Sequence, residues 1–326
     1  MRGPAKQAPP EVFRLPGDDS LFSNLPEEDS LAGVPAVKAI AFYLPQYHPI
    51  PENDAWWGEG FTDWVNVQRG RPCATGHYQP HVPHEDLGYY DLSDDTVMEN
   101  QVKMAQNAGI YGFCFYYYWF GGKRLLEMPL ERFLKSAQPD FPFCVCWANE
   151  NWSRRWDGQD HEILISQKHT EKDDLNFIQN LLPVLQDSRY IRVDGRPLIL
   201  VYRPALLPHP RKTFESWRAV CRREGLGEIH LAGVASFNMG NPHWLGLDAI
   251  VEFPPNESQV APLCKKKYKP VRDFKGNFYD YRLTRNNFLS RNYGDYTVYR
   301  GVTPSWDNTA RRRSCSHVLW GSSPGA

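Results

Sequence analysis

The stretch IYGFCFYYYW (residues 110–119) is a continuous run of apolar and aromatic residues, and FPFCVCW (residues 141–147) repeats the pattern. A continuous run, without alternation of apolar and polar residues, is typical of a strand that is covered on both faces. Further runs of this kind lie at residues 39–45, 197–202, 229–237, 248–253 and 296–302. Helix-like segments separate the runs, so the sequence predicts βα units and a parallel sheet.

Three of the intervening segments, at residues 93–107, 171–186 and 212–224, have the apolar spacing of helices. The first begins at Ser93, has acidic residues in its first turn and ends before Gly109, as helices commonly do. Seven strands predict an α/β fold of the (β/α)8 TIM-barrel type that lacks its last strand and helix. An open doubly wound sheet would more often carry a glycine-rich phosphate turn, and neither GxGxxG nor GxxxxGK[ST] is present.

The composition bounds the domains and the partners. Residues 1–35 are rich in proline, serine and acidic residues and predict a disordered or linker tail, which leaves residues 36–326 as one domain that is incomplete at its C-terminus. Lys plus Arg number 37 and Asp plus Glu number 38, which disfavours nucleic acid or an anionic membrane as a partner. No apolar run is long enough to span a bilayer, and seven scattered cysteines indicate reduced thiols, so we expect a cytoplasmic protein.

Three histidines in GHYQPHVPH, namely His77, His81 and His84, raise the alternative of a metal site. Their spacing is not HExxH, and two prolines hold the segment extended. We therefore expect no metal and no cofactor, and a surface loop with one histidine at a cleft.

Carboxylates follow three of the predicted strands. Glu150 comes after the third, Glu252 ends the sixth, and Asp307 follows the seventh. Barrel active sites collect side chains from the C-terminal ends of strands, and cleavage of a glycosidic bond uses a pair of carboxyl groups. Glu150 and Glu252 are the predicted catalytic candidates. The alternative is that both form ion pairs with Arg154, Arg155 or Arg203.

Aromatic residues make up 14% of the chain, with eleven tryptophans, which suggests exposed rings as well as a large aromatic core. The connection at residues 49–92 is long and aromatic, so we expect it to form a lid or a wall of the site. Flat rings and amides can hold a sugar through its C–H face and its hydroxyl groups. The predicted substrate-binding residues are Tyr43, Gln46, Tyr47, Trp64, Tyr117, Trp119, Trp147, Asn149, Trp152, Trp306 and Asp307.

Five segments together resemble the WbsX-type proteins of polysaccharide gene clusters, which are related to family 99 of the glycoside hydrolases. They are FYLPQYHPIPENDAWWGEGFTDWVNV (42–67), GHYQPHVPHEDLGYYDL (76–92), GFCFYYYWF (112–120), CWANENWSRRWDG (146–158) and PSWDNTARR (304–312). The resemblance implies a barrel that acts on glycosidic bonds of a polysaccharide or oligosaccharide, by glycosyl transfer or endo-acting hydrolysis. It also implies a role in polysaccharide biosynthesis, including that of lipopolysaccharide.

The same resemblance implies an acid and a base in an N-E-W-x-E motif on the last barrel strand, which this chain does not contain. A barrel without its last strand has two open strand edges and a hole in its core, so we expect low stability. The missing motif keeps open a non-catalytic glycan-binding protein as the alternative. A transferase that uses a nucleotide sugar is a third interpretation, although no DxD-like metal site supports it.

Overall fold

The protein is represented by a computed structural model, which describes residues 37–154, 159–235, 239–257, 262–263, 265–312 and 315–322. The predicted tail at residues 1–35 and the predicted ion-pair partner Arg155 lie outside the described residues. In this part of the chain, no helix has both the length and the apolar character needed to cross a membrane.

A parallel sheet of seven strands organises the structure. The strands of the chain are β1 (Ala39–Tyr43), β2 (Ile110–Phe120), β3 (Lys123–Leu125), β4 (Phe143–Trp147), β5 (Trp152–Arg154), β6 (Gln159–Ile165), β7 (Arg192–Val193), β8 (Arg196–Val201), β9 (His230–Ala235), β10 (Ala249–Glu252), β11 (Asn277–Asp280), β12 (Thr297–Tyr299) and β13 (His317–Trp320). The parallel order is β1, β2, β4, β8, β9, β10, β12, so all seven predicted strands are confirmed. The sheet curls into a half-barrel, as predicted, and β1 and β12 are its edges within the described residues.

The remaining strands either add to the edges of individual strands in this sheet or form two separate two-stranded sheets. Strand β3 pairs antiparallel with β2, β7 with β8, and β5 with β6 as a separate hairpin. Strands β11 and β13 form a two-stranded parallel sheet of their own.

The helices are α1 (Pro51–Trp57), α2 (Asp63–Gln68), α3 (Asp95–Asn107), α4 (Met128–Lys135), α5 (Glu171–Leu185), α6 (Pro210–Arg223), α7 (Pro242–Leu245), α8 (Pro254–Glu257), α9 (Lys265–Tyr268), α10 (Tyr281–Leu289) and α11 (Thr309–Arg312). The three predicted helices correspond to α3, α5 and α6. Helix α3 is capped by Asp94, whose side chain accepts a hydrogen bond from the amide of Thr96, and not by Ser93.

The two faces of the sheet bury different side chains. On the outer face, the ring of Trp147 stacks on Phe177 of α5 at 4.4 Å between ring centroids and packs beside Trp217 of α6. On the inner face lie the buried thiols of Cys114 and Cys146. Rings in the outer layer therefore hold α5 and α6 on the sheet.

Candidate functional site

A cavity of about 390 Å³ lies at the C-terminal ends of β1, β2, β4, β8 and β10. Its volume is within the usual range of small-molecule sites, and its place is where barrel folds carry their active sites. The aromatic residues that line it are Phe42, Trp56, Trp57, Phe61, Tyr116, Tyr118, Trp152, Tyr202, Phe253 and Trp306. The polar residues that line it are Gln46, Asn53, Asp63, Glu150, Asn151, Ser153, Asn256 and Arg311. We call this cavity the cleft.

Trp152 is held in one wall of the cleft by other rings. Its centroid lies 5.3 Å from that of Tyr118, 5.7 Å from Phe120 and 6.0 Å from Trp56, and all three contacts are edge-to-face. Trp56 belongs to α1 in the long connection after β1, which therefore forms a wall of the cleft as predicted. The structure brings three of the predicted substrate-binding residues together here: Gln46, Trp152 and Trp306.

Asp63, at the start of α2, is a cleft residue that the sequence analysis missed. It is only 8% exposed. The side-chain amide of Gln46 donates a hydrogen bond to Oδ2 of Asp63, and the hydroxyl of Tyr118 donates to Oε1 of Gln46 at 3.3 Å. The other oxygen, Oδ1 of Asp63, is buried without a hydrogen-bond partner among the described residues. One signal for Asp63 was its position in the aromatic segment GFTDWV, where it is the single acidic residue.

Burial raises the pKa of the Asp63 carboxyl to about 6. The nearby charge of Arg311 and the hydrogen bond from Gln46 act in the opposite direction and favour the carboxylate, but they do not cancel the cost of burying a charge. Asp63 therefore exchanges its proton near neutral pH, in the range where a group can serve as both acid and base.

Glu150 also lines the cleft, and it forms an ion pair with Arg203, one of the partners considered from the sequence. The segment is fixed by Asn149, whose side chain accepts a hydrogen bond from the amide of Arg203 at 2.7 Å and donates to its carbonyl at 2.8 Å. Asn149 has no exposed surface. Glu150 thus lies at the cleft. Asn149, which was predicted to bind substrate, instead connects the ends of β4 and β8 through its two hydrogen bonds.

Glu252 is 3% exposed and is not among the cleft residues. Its Oε1 accepts a hydrogen bond from the hydroxyl of Tyr293 at 2.6 Å, and its Oε2 accepts one from the amide of Gly301 at 3.0 Å. Nε of Arg300 lies 3.2 Å from Oε2. These contacts support a structural role for Glu252, which joins β10 to the segments on either side of β12.

Four of the predicted substrate-binding residues lie on the outer face of the sheet. Trp147 packs under α5 and α6 as described above. The hydroxyl of Tyr43 donates to Gln101, that of Tyr117 to Asn180, and the indole N–H of Trp119 to Asp173. Side chains alternate between the faces of a strand, so on β2 the cleft receives Tyr116 and Tyr118 in place of their odd-numbered neighbours.

Tyr47 and Trp64 pack on each other, with 4.5 Å between ring centroids, and both contact Tyr90. The indole N–H of Trp64 donates to the carbonyl of Tyr90 at 2.7 Å. Neither residue is among those that line the cleft. Their contacts fold the long connection on itself, close to the start of α2.

Asp307 collects hydrogen bonds behind the neighbouring Trp306. Its Oδ2 lies 2.9 Å from Nε2 of His77, 2.7 Å from the side-chain nitrogen of Gln79 and 3.1 Å from Nε2 of His81. Burial acts to raise the pKa of Asp307, but the hydrogen bonds from His77, His81 and Thr309 outweigh it and hold that pKa far below its usual range. His77 and His81 therefore contact the carboxylate of Asp307, and neither histidine lines the cleft.

Within the described ranges, no group of three or more His, Cys, Asp and Glu side chains could hold a metal ion.

The aromatic cleft at the end of a curled parallel sheet can be compared with known proteins. Residues 39–326 match the family described as glycosyltransferase WbsX. The chain belongs to the WbsX family. This family is carbohydrate-active, in agreement with the resemblance noted in the sequence.

Two curated relatives of this WbsX chain are the uncharacterized proteins WxcX of Xanthomonas campestris pv. campestris strains B100 and ATCC 33913. Each is 49% identical over 285 residues, which cover 87% of this chain and 41% of the relative. The chain thus spans about two fifths of the length of the curated relatives it matches.

Among solved structures, a glycoside hydrolase-like protein gives a TM-score of 0.50 at 13% identity, over 91% of this chain and 81% of its own. A GH99 endo-alpha-mannosidase from Bacteroides thetaiotaomicron, in complex with Bis-Tris propane, gives a TM-score of 0.48 at 13% identity, over 84% of this chain and 72% of its own. At these identities a likeness concerns the fold alone, and the first of the two supports the barrel-like architecture of the WbsX chain.

Proposed function

We propose that this WbsX-family chain binds a segment of a polysaccharide or oligosaccharide in the cleft and acts on a glycosidic bond, by transfer or by hydrolysis. The observation that carries the proposal is the composition of the cleft, in which Trp152 and Trp306 stand beside two carboxyl groups, those of Asp63 and Glu150. A sugar needs both a flat apolar surface for its C–H face and polar groups for its hydroxyls.

The wall around Trp152 supports this function because it is already ordered. Three neighbouring rings hold Trp152, so binding a sugar on its free edge or face would cost little side-chain entropy. Gln46 and Asn151 add amide groups to the same cavity. Their donors and acceptors suit hydroxyl groups better than they suit an apolar ligand.

The carboxyl groups favour an enzyme over a protein that only binds. A buried carboxyl oxygen without a hydrogen-bond partner, such as Oδ1 of Asp63, reduces stability. A binding protein would gain nothing from this cost, whereas an enzyme can use the group for proton transfer. The non-catalytic glycan-binding protein is therefore the second candidate, and it keeps the same ligand class.

The test is to incubate the chain with defined oligosaccharides of glucose, mannose, galactose and rhamnose, with and without acceptor sugars, and to identify products by mass spectrometry. Glu150→Gln removes the charge of a cleft carboxylate, and Glu85→Gln, at an exposed position outside the cleft, is the matched control. We expect products from the unaltered chain and from Glu85→Gln, and a loss of at least about 100-fold in Glu150→Gln.

Three outcomes separate the candidates. Products that depend on Glu150 support the enzyme. Saturable binding of an oligosaccharide without any product supports the glycan-binding protein. Neither binding nor product with any of these sugars contradicts the proposed function.

We further propose that the chain acts in a reducing compartment, the cytoplasm, in the biosynthesis of a surface polysaccharide such as lipopolysaccharide. Five cysteines, Cys73, Cys114, Cys144, Cys146 and Cys221, are buried as free thiols, which supports such a compartment. Fractionation of cells with an antibody to the native protein tests the location. Recovery with periplasmic or secreted proteins would contradict it.

A further inference from the structure

Asp63 differs from the other carboxylates near the cleft in how its oxygens are used. Both oxygens of Glu252 are engaged, and Oδ2 of Asp307 faces two histidines and an amide. Glu150 is paired with Arg203. By contrast, Oδ1 of Asp63 is buried and has no hydrogen-bond partner among the described residues, although the residue lines the cavity.

We propose that Asp63 is the catalytic acid and base of the glycosyl-transfer step. It protonates the glycosidic oxygen that leaves, and it then takes the proton from the oxygen of water or of the acceptor that replaces it. This inference rests on the proposed function and adds to it the identity of the acid and base. Oδ1 is not engaged by another described group, so a glycosidic oxygen or a hydroxyl group of the substrate that reaches the carboxyl group through the cavity would be its first hydrogen-bond partner. Gln46, which donates to the opposite oxygen, fixes the plane of the carboxyl group.

The step balances with Asp63 in both roles. In the first half, the protonated Asp63 carboxyl gives its proton to the glycosidic oxygen, which keeps the electron pair of the breaking C–O bond and leaves as a hydroxyl, while the carboxylate of Glu150 in the same cleft forms a bond to the anomeric carbon. In the second half, the Asp63 carboxylate takes a proton from water or from an acceptor sugar hydroxyl. The oxygen of that molecule supplies the electron pair of the new bond to the anomeric carbon as the bond to Glu150 breaks. The carboxyl group then regains its starting state.

The surroundings of Asp63 support both protonation states. Burial favours the neutral acid, which is the donor. The charge of Arg311, another cleft residue, favours the carboxylate that remains after donation. With these opposing influences the pKa of Asp63 is about 6, close enough to neutral pH for the group to change its protonation state during turnover.

The test uses Asp63→Asn in the full chain, with two substrates: the oligosaccharide that the unaltered chain converts, and the 2,4-dinitrophenyl glycoside of the same sugar. Dinitrophenolate leaves without protonation, so its release does not need an acid. We expect kcat/KM to fall by about 100-fold or more on the oligosaccharide and by less than about tenfold for release of dinitrophenolate. Calorimetric binding of the oligosaccharide should change little.

The control is Asp86→Asn, which removes an exposed carboxylate that pairs with His84 outside the cleft and should leave both rates unchanged. Equal loss on the two substrates, or no loss in Asp63→Asn, would overturn the role of Asp63 while the proposed function stands. A chain that converts no sugar would overturn both. The ¹³C chemical shift of the Asp63 carboxyl gives a separate readout, with a midpoint expected at about 6; an ordinary value near 4 would count against the proposal.

Discussion

Oδ2 of Asp307 lies 2.9 Å from Nε2 of His77, and this contact joins segments that are 230 residues apart. The amide of Cys73 donates to Nδ1 of the same histidine at 2.9 Å, so Nε2 carries the proton that faces Asp307. The long connection after β1 is thereby tied to the segment that carries Trp306. Both segments contribute residues to the lining of the cleft, and the contact ties them to each other.

Replacing Asp307 should lower the stability of the fold. Asp307→Asn removes the charge of a largely buried acceptor of several hydrogen bonds, whose side chain is 12% exposed, and we expect the free energy of unfolding to fall by about 2–4 kcal/mol in chemical denaturation. Asp86→Asn breaks an Asp–His pair whose side chains are 68% and 70% exposed, and it should change stability by less than about 0.5 kcal/mol. Equal effects of the two substitutions would contradict the structural role of Asp307.

Acid should weaken the same contact. Because the pKa of Asp307 is depressed in the folded state, its carboxylate contributes stability that is present above the ordinary value of 3.8 and is lost as pH falls below it. The unaltered protein should therefore lose stability between pH 4 and pH 2.5 more steeply than Asp307→Asn. Parallel curves of unfolding free energy against pH for the two proteins would be inconsistent with this contribution.

Asp63 should have the opposite effect on stability. Its pKa is raised from 3.8 to about 6, so the buried carboxylate costs stability above pH 6, and the cost shrinks as pH falls toward 3.8. A shift of about 2 units corresponds to roughly 3 kcal/mol. We expect Asp63→Asn to be more stable than the unaltered chain by about 1–3 kcal/mol at pH 7.5 and by less at pH 5. Lower stability of the variant at both pH values would show that the charge is not costly.

The kcat/KM for an oligosaccharide should depend on the protonation state of Asp63. As the acid that protonates the leaving oxygen, Asp63 must be neutral, so kcat/KM on an oligosaccharide should fall as pH rises through about 6. The dinitrophenyl glycoside needs no such proton, and its rate of dinitrophenolate release should lack this limb. If kcat/KM fell with the same midpoint pH for both substrates, the titrating group would be a group other than Asp63.

Much of the fold follows from the sequence. Each of the seven parallel strands coincides with a predicted run and extends beyond it by one residue at most, because buried strands are continuous and apolar. The helices between them carry their own spacing and end signals. Because these runs are apolar throughout, the sequence does not indicate which face of the sheet each side chain lies on. In the run YYYW near the end of β2, the residue types do not distinguish Tyr116 and Tyr118, which line the cleft, from Tyr117 and Trp119, which face the helices.

The candidate site was predicted where a residue lies a few positions after the end of a strand. Gln46, Glu150, Trp152 and Trp306 lie shortly after β1, β4 and β12, and the structure places them in the cleft. Asp63 and Arg311 come from α2 and α11, which pack together only in the folded chain. Local sequence patterns carry no information about such a contact, so the one signal for Asp63, its position as the single acidic residue of GFTDWV, was not enough to place it in the cleft.

Substitution of a core tryptophan and substitution of a cleft tryptophan should have different effects. Trp147→Ala removes a fully buried ring between α5, α6 and the sheet and should cost about 3–5 kcal/mol of stability. Trp152→Ala removes a partly exposed ring of the cleft wall and should cost less stability while it weakens sugar binding. Thermal unfolding of both variants checks the order, and a larger loss for Trp152→Ala would contradict the assignment of faces.

The most direct test of the glycan cleft is calorimetric titration of the oligosaccharides named above into the unaltered chain, Trp152→Ala and Trp244→Ala. Trp244 is 76% exposed on α7 and lies outside the cleft, so it is a matched control. We expect saturable binding to the unaltered chain and to Trp244→Ala, with affinity at least about tenfold lower in Trp152→Ala, since one stacked ring contributes about 1.4 kcal/mol. No binding by the unaltered chain, or equal affinity in all three proteins, would contradict it.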